Sequence, residues 1–175
     1  MDMGHGKMRD FYKSVMDTPP LLSVEVYPTS KAPILTASSL KPVLCKWGFD
    51  SYGKNGLLIN ARAETVVEKQ MFREDFMQRR CVIPCNGFYE WDSAKNKYYF
   101  SRADGKLLYL AGFCHENDDD RRFIVLTKKA TAPVSQFHHR IPVMFEMESI
   151  DDYLNDAKFA TDAIALDSNI DLIYT

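Results

Sequence analysis

Two segments carry side chains suited to proton transfer. Glu90 lies in the run Gly-Phe-Tyr-Glu-Trp at 87–91, and His138 begins the run His-His-Arg-Ile-Pro at 138–142. A carboxyl buried among aromatic rings is disfavoured in its charged form, so Glu90 would give or take a proton near neutral pH. The alternatives are a glutamate at a sheet edge that points to water, because charged residues usually stay solvated, and an ordinary loop histidine.

Asn60 and Arg62 form a second polar pair, directly after the apolar triplet at 57–59. The triplet predicts a buried strand that delivers both side chains to its end. Two simpler explanations remain open for this pair. Asn60 could bond to the backbone of a turn, and Arg62 could pair at the surface with Glu64 or Glu68.

The residues around Glu90 predict a β-hairpin. The run 80–91 contains a strand, an Asn-Gly turn and a second strand. Asn-Gly suits a tight hairpin because both turn residues take positive φ at little cost. Alternation along the second strand places Phe88 and Glu90 on one face and Tyr89 and Trp91 on the other.

A helix is predicted between the two polar segments. Thr65 and Glu68 form a capping box, which predicts a helix that runs to about residue 78. Its apolar residues should form a stripe that faces the core. This stripe consists of Val67, Met71, Phe72 and Phe76.

The rest of the chain predicts a mixed, strand-rich fold. Helices are expected over 8–16 and 149–154, and strands over 21–27, 32–36, 44–49, 98–101, 107–114, 122–127 and 143–145. Residues 157–175 are weakly patterned. Nothing repeats and no low-complexity linker appears, so we expect one α+β domain over 1–175 in which antiparallel strands dominate.

Composition excludes some classes of protein. With 46% hydrophobic and 13% aromatic residues in 175, the chain should fold around a real core. No apolar run approaches the ~18–20 residues of a membrane span, and residues 1–7 lack the core of a signal peptide. We therefore expect a cytoplasmic monomer with no membrane partner. A net charge of −2 permits nucleic-acid binding only where Lys and Arg gather locally.

The cysteines predict neither a metal site nor a disulfide framework. Cys45, Cys81, Cys85 and Cys114 have spacings that fit no paired zinc motif. In a cytosolic chain we interpret them as buried free thiols. No cofactor is expected.

Taken in order, several motifs resemble one known family. The principal ones are Asn-Ala-Arg-Ala-Glu-Thr at 60–65, Arg-Cys-x-Ile-Pro-x-x-Gly-Phe-Tyr-Glu-Trp at 80–91 and His-x-Arg-x-Pro at 138–142. Shorter runs that fit are Tyr27-Pro28-Thr29, Trp47-Gly48-Phe49 and Ala111-Gly112-Phe113. Over about 26–154 the chain is similar to the SOS response-associated peptidase (SRAP) family.

The resemblance implies both a fold and an activity. The fold is a single domain whose strands form a barrel-like, bifurcated sheet with peripheral helices. The family recognises abasic sites in single-stranded DNA and traps them covalently, so a DNA-bound chain would be associated with the nucleoid. Its nucleophile is a cysteine at position two, which becomes the N-terminus when the protein removes its own initiator methionine. The amine and thiol of that cysteine close a thiazolidine on the aldehyde of the ring-opened sugar.

Three residues match catalytic positions of the family. The resemblance implies that Glu90 assists opening of the sugar ring and proton transfers at the imine. His138 would be a second acid or base, which also serves reversal of the link. Asn60 would hold the N-terminal residue or the sugar by hydrogen bonds.

Four residues match DNA-binding positions. The resemblance implies that Arg62 and Arg140 grip phosphates that flank the lesion, since the forked donors of a guanidinium suit phosphate oxygens. Thr127 would give a further phosphate contact. Trp47 would be a platform for base stacking, which tolerates any sequence.

The chain departs from the family at both ends. Asp2 stands where the family has its cysteine, in an atypical segment at 1–7 that lacks the opening Met-Cys-Gly-Arg. No other cysteine can replace it, because the nitrogens of all four are held in peptide bonds. The tail at 157–175 is also poorly matched.

Three explanations fit the aspartate. The chain has a misassigned or engineered start that omits the reactive end, or it is a variant that binds lesions without trapping them, or it has taken another role. The first is favoured because the supporting residues are all retained. Two other classes of function stay open: a hydrolase that uses Cys45 or Cys85 with His138, and a non-catalytic binding module on the same scaffold.

Overall fold

A computed structural model of the chain describes residues 25–51, 56–117 and 120–175. The strands are β1 Lys31–Thr36, β2 Ser39–Trp47, β3 Phe49–Asp50, β4 Leu57–Leu58, β5 Asn60–Arg62, β6 Arg80–Cys85, β7 Gly87–Trp91, β8 Lys97–Arg102, β9 Leu108–Asn117, β10 Asp120–Lys129, β11 Arg140–Pro142, β12 Met144–Phe145 and β13 Leu172–Tyr174. The α-helices are α1 Gln70–Gln78, α2 Ile150–Asn155 and α3 Ala157–Ala163. The helix expected over 8–16 lies outside the described residues. Of the strand expected over 21–27, the described part is irregular.

Five of these strands close into a ring. Strand β1 pairs with β2 and β6, β6 pairs with β9, β9 pairs with β10, and β10 pairs with β2. All of these pairings are antiparallel except that of β2 with β10, which is parallel. The short strands β5, β11 and β12 extend the ring, while β7, β8 and β13 form a separate sheet. The predicted α+β fold with a barrel-like, mainly antiparallel sheet is confirmed.

Side chains alternate between the two faces of the ring and build two apolar clusters. In β10, Phe123 and Val125 belong to one cluster, while Ile124 and Leu126 belong to the other. The second cluster also contains the buried side chains of the helices, among them Phe76. The helices therefore cover the outside of the ring, and Phe123 and Val125 face its interior. Burial of each large apolar side chain stabilises the fold by roughly 1.5–3 kcal/mol.

The predicted hairpin at 80–91 is wrong. Strand β6 pairs with β1 and β9, so neither of its edges is available to β7, which pairs with β8 instead. Asn86 is a bend at which the chain crosses from one sheet to the other. Gly87 is needed there for close packing, since a Cβ on it would lie 2.3 Å from the carbonyl oxygen of Phe100.

The helix between the polar segments begins later than predicted. The chain first makes a 3₁₀ turn over Ala63–Thr65, and α1 starts only at Gln70 with Lys69 as N-cap. The amide of Glu68 donates to the backbone carbonyl of Thr65 at 3.1 Å, and the Thr65 hydroxyl has no partner among the described residues, so no capping box forms. Phe72 and Phe76 are buried as expected, Val67 is half-buried, and Met71 is exposed.

The weakly patterned tail is ordered into two elements. Asp156 caps α3, because its carboxylate accepts the amide protons of Lys158 and Phe159. Strand β13 then pairs antiparallel with β8. The strand was missed because its short, exposed sequence gains its stability from a partner some seventy residues away.

Candidate active site and nucleic-acid interface

Strand β10 sets the spacing of the predicted site residues. In parallel register along one of its edges, Trp47 lies beside Phe123, and Asn60 and Arg62 lie beside the next two alternate residues of β10. Alternate residues of a strand share a face and lie about 7 Å apart. Trp47, Asn60 and Arg62 therefore form a row on one face, which we call the β10 row.

Trp47 is fixed at the first position of the β10 row. Its indole nitrogen donates to the carbonyl of Ile59 at 2.9 Å. Its ring lies parallel to that of Phe123, with an interplanar angle of 8° and centroids 6.4 Å apart. The ring is half-buried and held in one orientation, which is the property that a stacking platform needs.

Asn60 and Arg62 are the members of the β10 row whose side chains have no partner among the described residues. Both side chains are exposed, and neither makes a hydrogen bond or ion pair to another described residue. Asn60 thus does not bond to a turn, and Arg62 does not pair with Glu64 or Glu68. The amide of Asn60 and the guanidinium of Arg62 thus stand on one face of the sheet without a partner in the described part of the chain.

The side chains of Glu90 and His138 lie in contact. The Nδ1 atom of His138 lies 3.3 Å from a carboxylate oxygen of Glu90, whose side chain is only 19% exposed. The glutamate is therefore not a solvent-directed edge residue. Burial raises the pKa of Glu90 above its ordinary value, and the positive charge of a protonated His138 opposes that rise. The carboxyl can hold a proton under conditions in which an exposed one would lose it.

The backbone of Arg140 offers both an acceptor and a donor to Nδ1 of His138. Its carbonyl oxygen lies 3.1 Å from Nδ1 of His138, and its amide nitrogen lies 3.3 Å from the same atom. With a proton on Nδ1, the imidazole donates to the carbonyl and faces an ionised Glu90. Without it, Nδ1 has one lone pair and accepts a single hydrogen bond, either from the amide or from a protonated Glu90.

An aromatic cluster positions His138. The amide of His138 donates to the carbonyl of Val134 at 2.9 Å, which folds the segment into a tight turn. The neighbouring ring of Phe137 packs against Tyr98 with centroids 4.2 Å apart and against Tyr174 at 4.8 Å. Sequence reasoning missed this support. Its signal was the aromatic Phe137 beside the histidine and the aromatic residue near the end of the chain.

Arg140 and Thr127 are engaged with each other and with Glu64. Both terminal nitrogens of Arg140 donate to the carboxylate of Glu64, each at 2.7 Å. The guanidinium also donates to the carbonyl of Thr127 at 2.6 Å, and Nε lies 3.4 Å from the Thr127 hydroxyl. The hydrogen bonds from Arg140 hold the pKa of Glu64 at about 2. The resemblance to the family implied that Arg140 binds a phosphate; in the structure its two terminal nitrogens bind a carboxylate instead.

The internal thiols are poorly suited to nucleophilic catalysis. Cys45, Cys81 and Cys114 are buried, and a hydrogen bond to Cys114 together with burial raises the pKa of Cys45. Burial raises the pKa of Cys85 to about 12. Since the thiolate is the reactive form, these values weigh against an internal cysteine hydrolase. Among the described residues, no cluster of His, Cys, Asp and Glu could hold a metal ion.

Comparison with known proteins fixes the family. The family model for SOS response associated peptidase (SRAP) matches residues 7–170. The chain belongs to the SRAP family.

Several SRAP relatives are named abasic site processing proteins. One from Saccharomyces cerevisiae is 30% identical over 145 residues, which cover 79% of this chain and 39% of that protein. YoqW of Bacillus subtilis is 31% identical over 56% of this chain and 48% of its own length. YedK of Escherichia coli is 25% identical over 79% of this chain and 67% of its own length. The chain thus spans about half or less of the first two relatives.

Solved structures share the fold. A crystal structure of a protein from Bordetella bronchiseptica superposes with a TM-score of 0.74 at 20% identity, over 97% of this chain and 93% of the other. One from Bacteroides thetaiotaomicron gives 0.72 at 22%, over 96% and 87%. No helix within the described ranges is long and apolar enough to cross a membrane.

Proposed function

We propose that this SRAP-family chain binds abasic sites in single-stranded DNA along the β10 row and presents the damaged sugar to Glu90 and His138. The observation that carries the proposal is that two side chains of the site contact each other while two others have no partner within the described ranges. Glu90 and His138 lie 3.3 Å apart, while the side chains of Asn60 and Arg62 have no partners among the described residues. The names of the relatives point to the same class of lesion.

The pair suits the chemistry of an abasic sugar. Such a sugar is closed as a cyclic hemiacetal, and opening it moves a proton from the hydroxyl to the ring oxygen. One member of a carboxyl–imidazole pair can accept the proton of the sugar hydroxyl, and the other can deliver a proton to the ring oxygen. Arg62 neutralises a phosphate beside the lesion, and Trp47 stacks on a neighbouring base.

Covalent trapping requires a residue that this sequence does not have at position two. An aldehyde and an α-amine form an imine with loss of water, and a thiol on the same residue then adds to the imine carbon while its proton moves to the nitrogen. Asp2 has no thiol, and residues 1–24 lie outside the described ranges. A chain with aspartate at that position would bind without forming the thiazolidine.

Binding is tested by fluorescence anisotropy with three labelled oligonucleotides: a single strand with a stable abasic analogue, the same strand intact, and the intact duplex. We expect the tightest binding to the first, with an affinity that falls steeply as salt is raised because phosphates release counterions. Equal affinity for all three, or no salt dependence, would contradict the proposal.

Trapping is tested on a denaturing gel with an abasic single strand. We expect no shifted band from the present chain and a shifted band from a version that begins Met-Cys-Gly-Arg. In that version, His138→Ala should slow the appearance of the band. Absence of the band from the restored version would remove the catalytic part of the proposal.

A further inference from the structure

The carboxylate of Glu64 is held as a phosphate would be held. It receives one hydrogen bond from each terminal nitrogen of Arg140, both at 2.7 Å, and a third from the amide of Lys129 at 3.1 Å. Two forked guanidinium donors and a backbone N–H are the groups that bind phosphate oxygens in proteins. The site thus contains an anion-binding position, and the carboxylate of Glu64 occupies it.

The two partners differ in how firmly they are held. The side chain of Arg140 is 15% exposed, and Thr127 fixes it from behind through its carbonyl at 2.6 Å. The side chain of Glu64 is 47% exposed and stands on the surface 3₁₀ turn Ala63–Thr65. The guanidinium is therefore the fixed inner partner, and the carboxylate is the outer one that meets an incoming ligand first.

Protonation does not open this ion pair near neutral pH. Hydrogen bonds from Arg140 hold the pKa of Glu64 at about 2, so the carboxylate stays charged under ordinary conditions. Only a competing anion can take its place on Arg140. The nearest source is a strand held at Arg62, because Arg62 lies beside Thr127 in the register of β5 and β10, and Thr127 contacts Arg140.

We propose that Glu64 occupies the phosphate position of Arg140 in the unbound protein and that a phosphate of bound single-stranded DNA displaces it. The inference rests on the proposed function and adds a residue that determines specificity. A phosphate that is tethered to a strand at Arg62 has a high effective concentration and displaces the carboxylate, whereas a free anion does not. Glu64 thereby reserves Arg140 for polymeric ligands.

The test replaces Glu64 and a matched glutamate that has no contact with Arg140. Glu68 is exposed, lies four residues further on and carries the same charge. Glu64→Gln should bind a labelled single strand with an abasic analogue about two- to fivefold more tightly than Glu68→Gln, the size expected for loss of a partly exposed ion pair. Both changes alter the net charge equally, so the difference isolates the contact.

Salt dependence gives a second readout. In the wild-type chain the displaced carboxylate takes up a counterion, which offsets the one released from the phosphate. We therefore expect the logarithmic salt slope of Glu64→Gln to be steeper than that of Glu68→Gln by about 0.7, the value for one phosphate of a single strand. Inorganic phosphate should compete with the oligonucleotide more effectively in Glu64→Gln than in the wild-type chain.

A further variant guards against loss of structure. Glu64→Asp keeps the charge and withdraws the carboxylate by one methylene, so its affinity should lie between those of the wild type and Glu64→Gln. If Glu64→Gln and Glu64→Asp bind no tighter than Glu68→Gln, or bind more weakly, Glu64 positions Arg140 and the inference is wrong. In that case the proposed function would still stand if the wild-type chain binds the oligonucleotide and Arg62→Ala weakens that binding. Absence of binding in every chain would overturn both.

Discussion

Two arginines of this molecule use the same side chain in opposite ways. Arg80 lies under the helices on the outer side of the ring, only 6% exposed. Its guanidinium donates to four backbone carbonyls, those of Phe76, Met77, Tyr153 and Leu154, at 2.6–3.1 Å. Arg62, beside β10, is exposed and makes no hydrogen bond or ion pair to another described residue.

The difference separates structural polar groups from those available to a ligand. Arg80 ties the end of α1 to the end of α2, because the carbonyls at helix ends lack partners within the helix. Its donors are used within the chain. Within the described residues Arg62 makes no comparable contribution to the fold, and its side chain stands exposed beside Asn60. Arg140 is intermediate, since its partner Glu64 belongs to the chain but lies at the surface.

The largest effect expected from this comparison is on stability. Arg80→Ala leaves buried carbonyls without donors and should lower the free energy of unfolding by roughly 3 kcal/mol or more. Urea denaturation with linear extrapolation measures it. Arg73→Ala is the matched control, because Arg73 is exposed on α1. A loss similar to that of the control would show that the carbonyls find water instead.

Arg62→Ala should show the reverse behaviour. Its free energy of unfolding should stay within about 0.5 kcal/mol of the wild type, as for an exposed residue without contacts. Its affinity for abasic single-stranded DNA should fall about tenfold or more, since a charge-assisted hydrogen bond to phosphate is lost. Anisotropy titrations against Arg73→Ala, which removes the same charge elsewhere, separate contact from net charge. Equal affinities of the two variants would place the DNA on another surface.

The long strands were predictable because their pattern is local. Residues 98–101 and 122–127 lie within observed strands, and 107–114 does so apart from its first residue, since alternation and flanking turns suffice to define them. The hairpin predicted at Asn-Gly was wrong because its outcome depends on contacts that are distant in sequence. The local preference of Asn-Gly for a hairpin was overridden because β1 and β9, both distant in sequence, occupy the edges of β6.

The site shows the same division between local and long-range information. Motif order was enough to nominate Glu90 and His138, and the structure places them in contact. The partner of Glu64 was not predictable, because spacing along the chain suggested Arg62, whereas the observed partner is 76 residues away. Ion pairs across strands depend on sheet register, and one sequence does not reveal it.

A smaller effect is expected at the buried hydroxyl of Tyr153. This hydroxyl donates to the carbonyl of Gly112 at 2.8 Å and ties α2 to the outside of β9. Tyr153→Phe should lower the free energy of unfolding by about 1–2 kcal/mol, because a buried carbonyl loses its donor while the ring keeps its packing. The affinity for DNA should not change, because Tyr153, like Arg80, lies on the outer side of the ring. A change in affinity without a change in stability would show that Tyr153 acts on DNA binding and not on the fold.

The smallest effect is a pH dependence of stability at Glu90, in the proposed site. Burial raises the pKa of this carboxyl above 4.5, so just above that pH the folded chain holds a proton that the unfolded chain has lost. The contribution of Glu90 to stability therefore declines as pH rises through this interval. Glu90→Gln removes the decline, so the melting temperature of this variant should rise relative to that of the wild type as the pH is raised from 4.5 towards neutrality. A pH-independent difference would mean that the ion pair with His138, not burial, governs the carboxyl, and the site would then bind its ligand with a permanently charged glutamate.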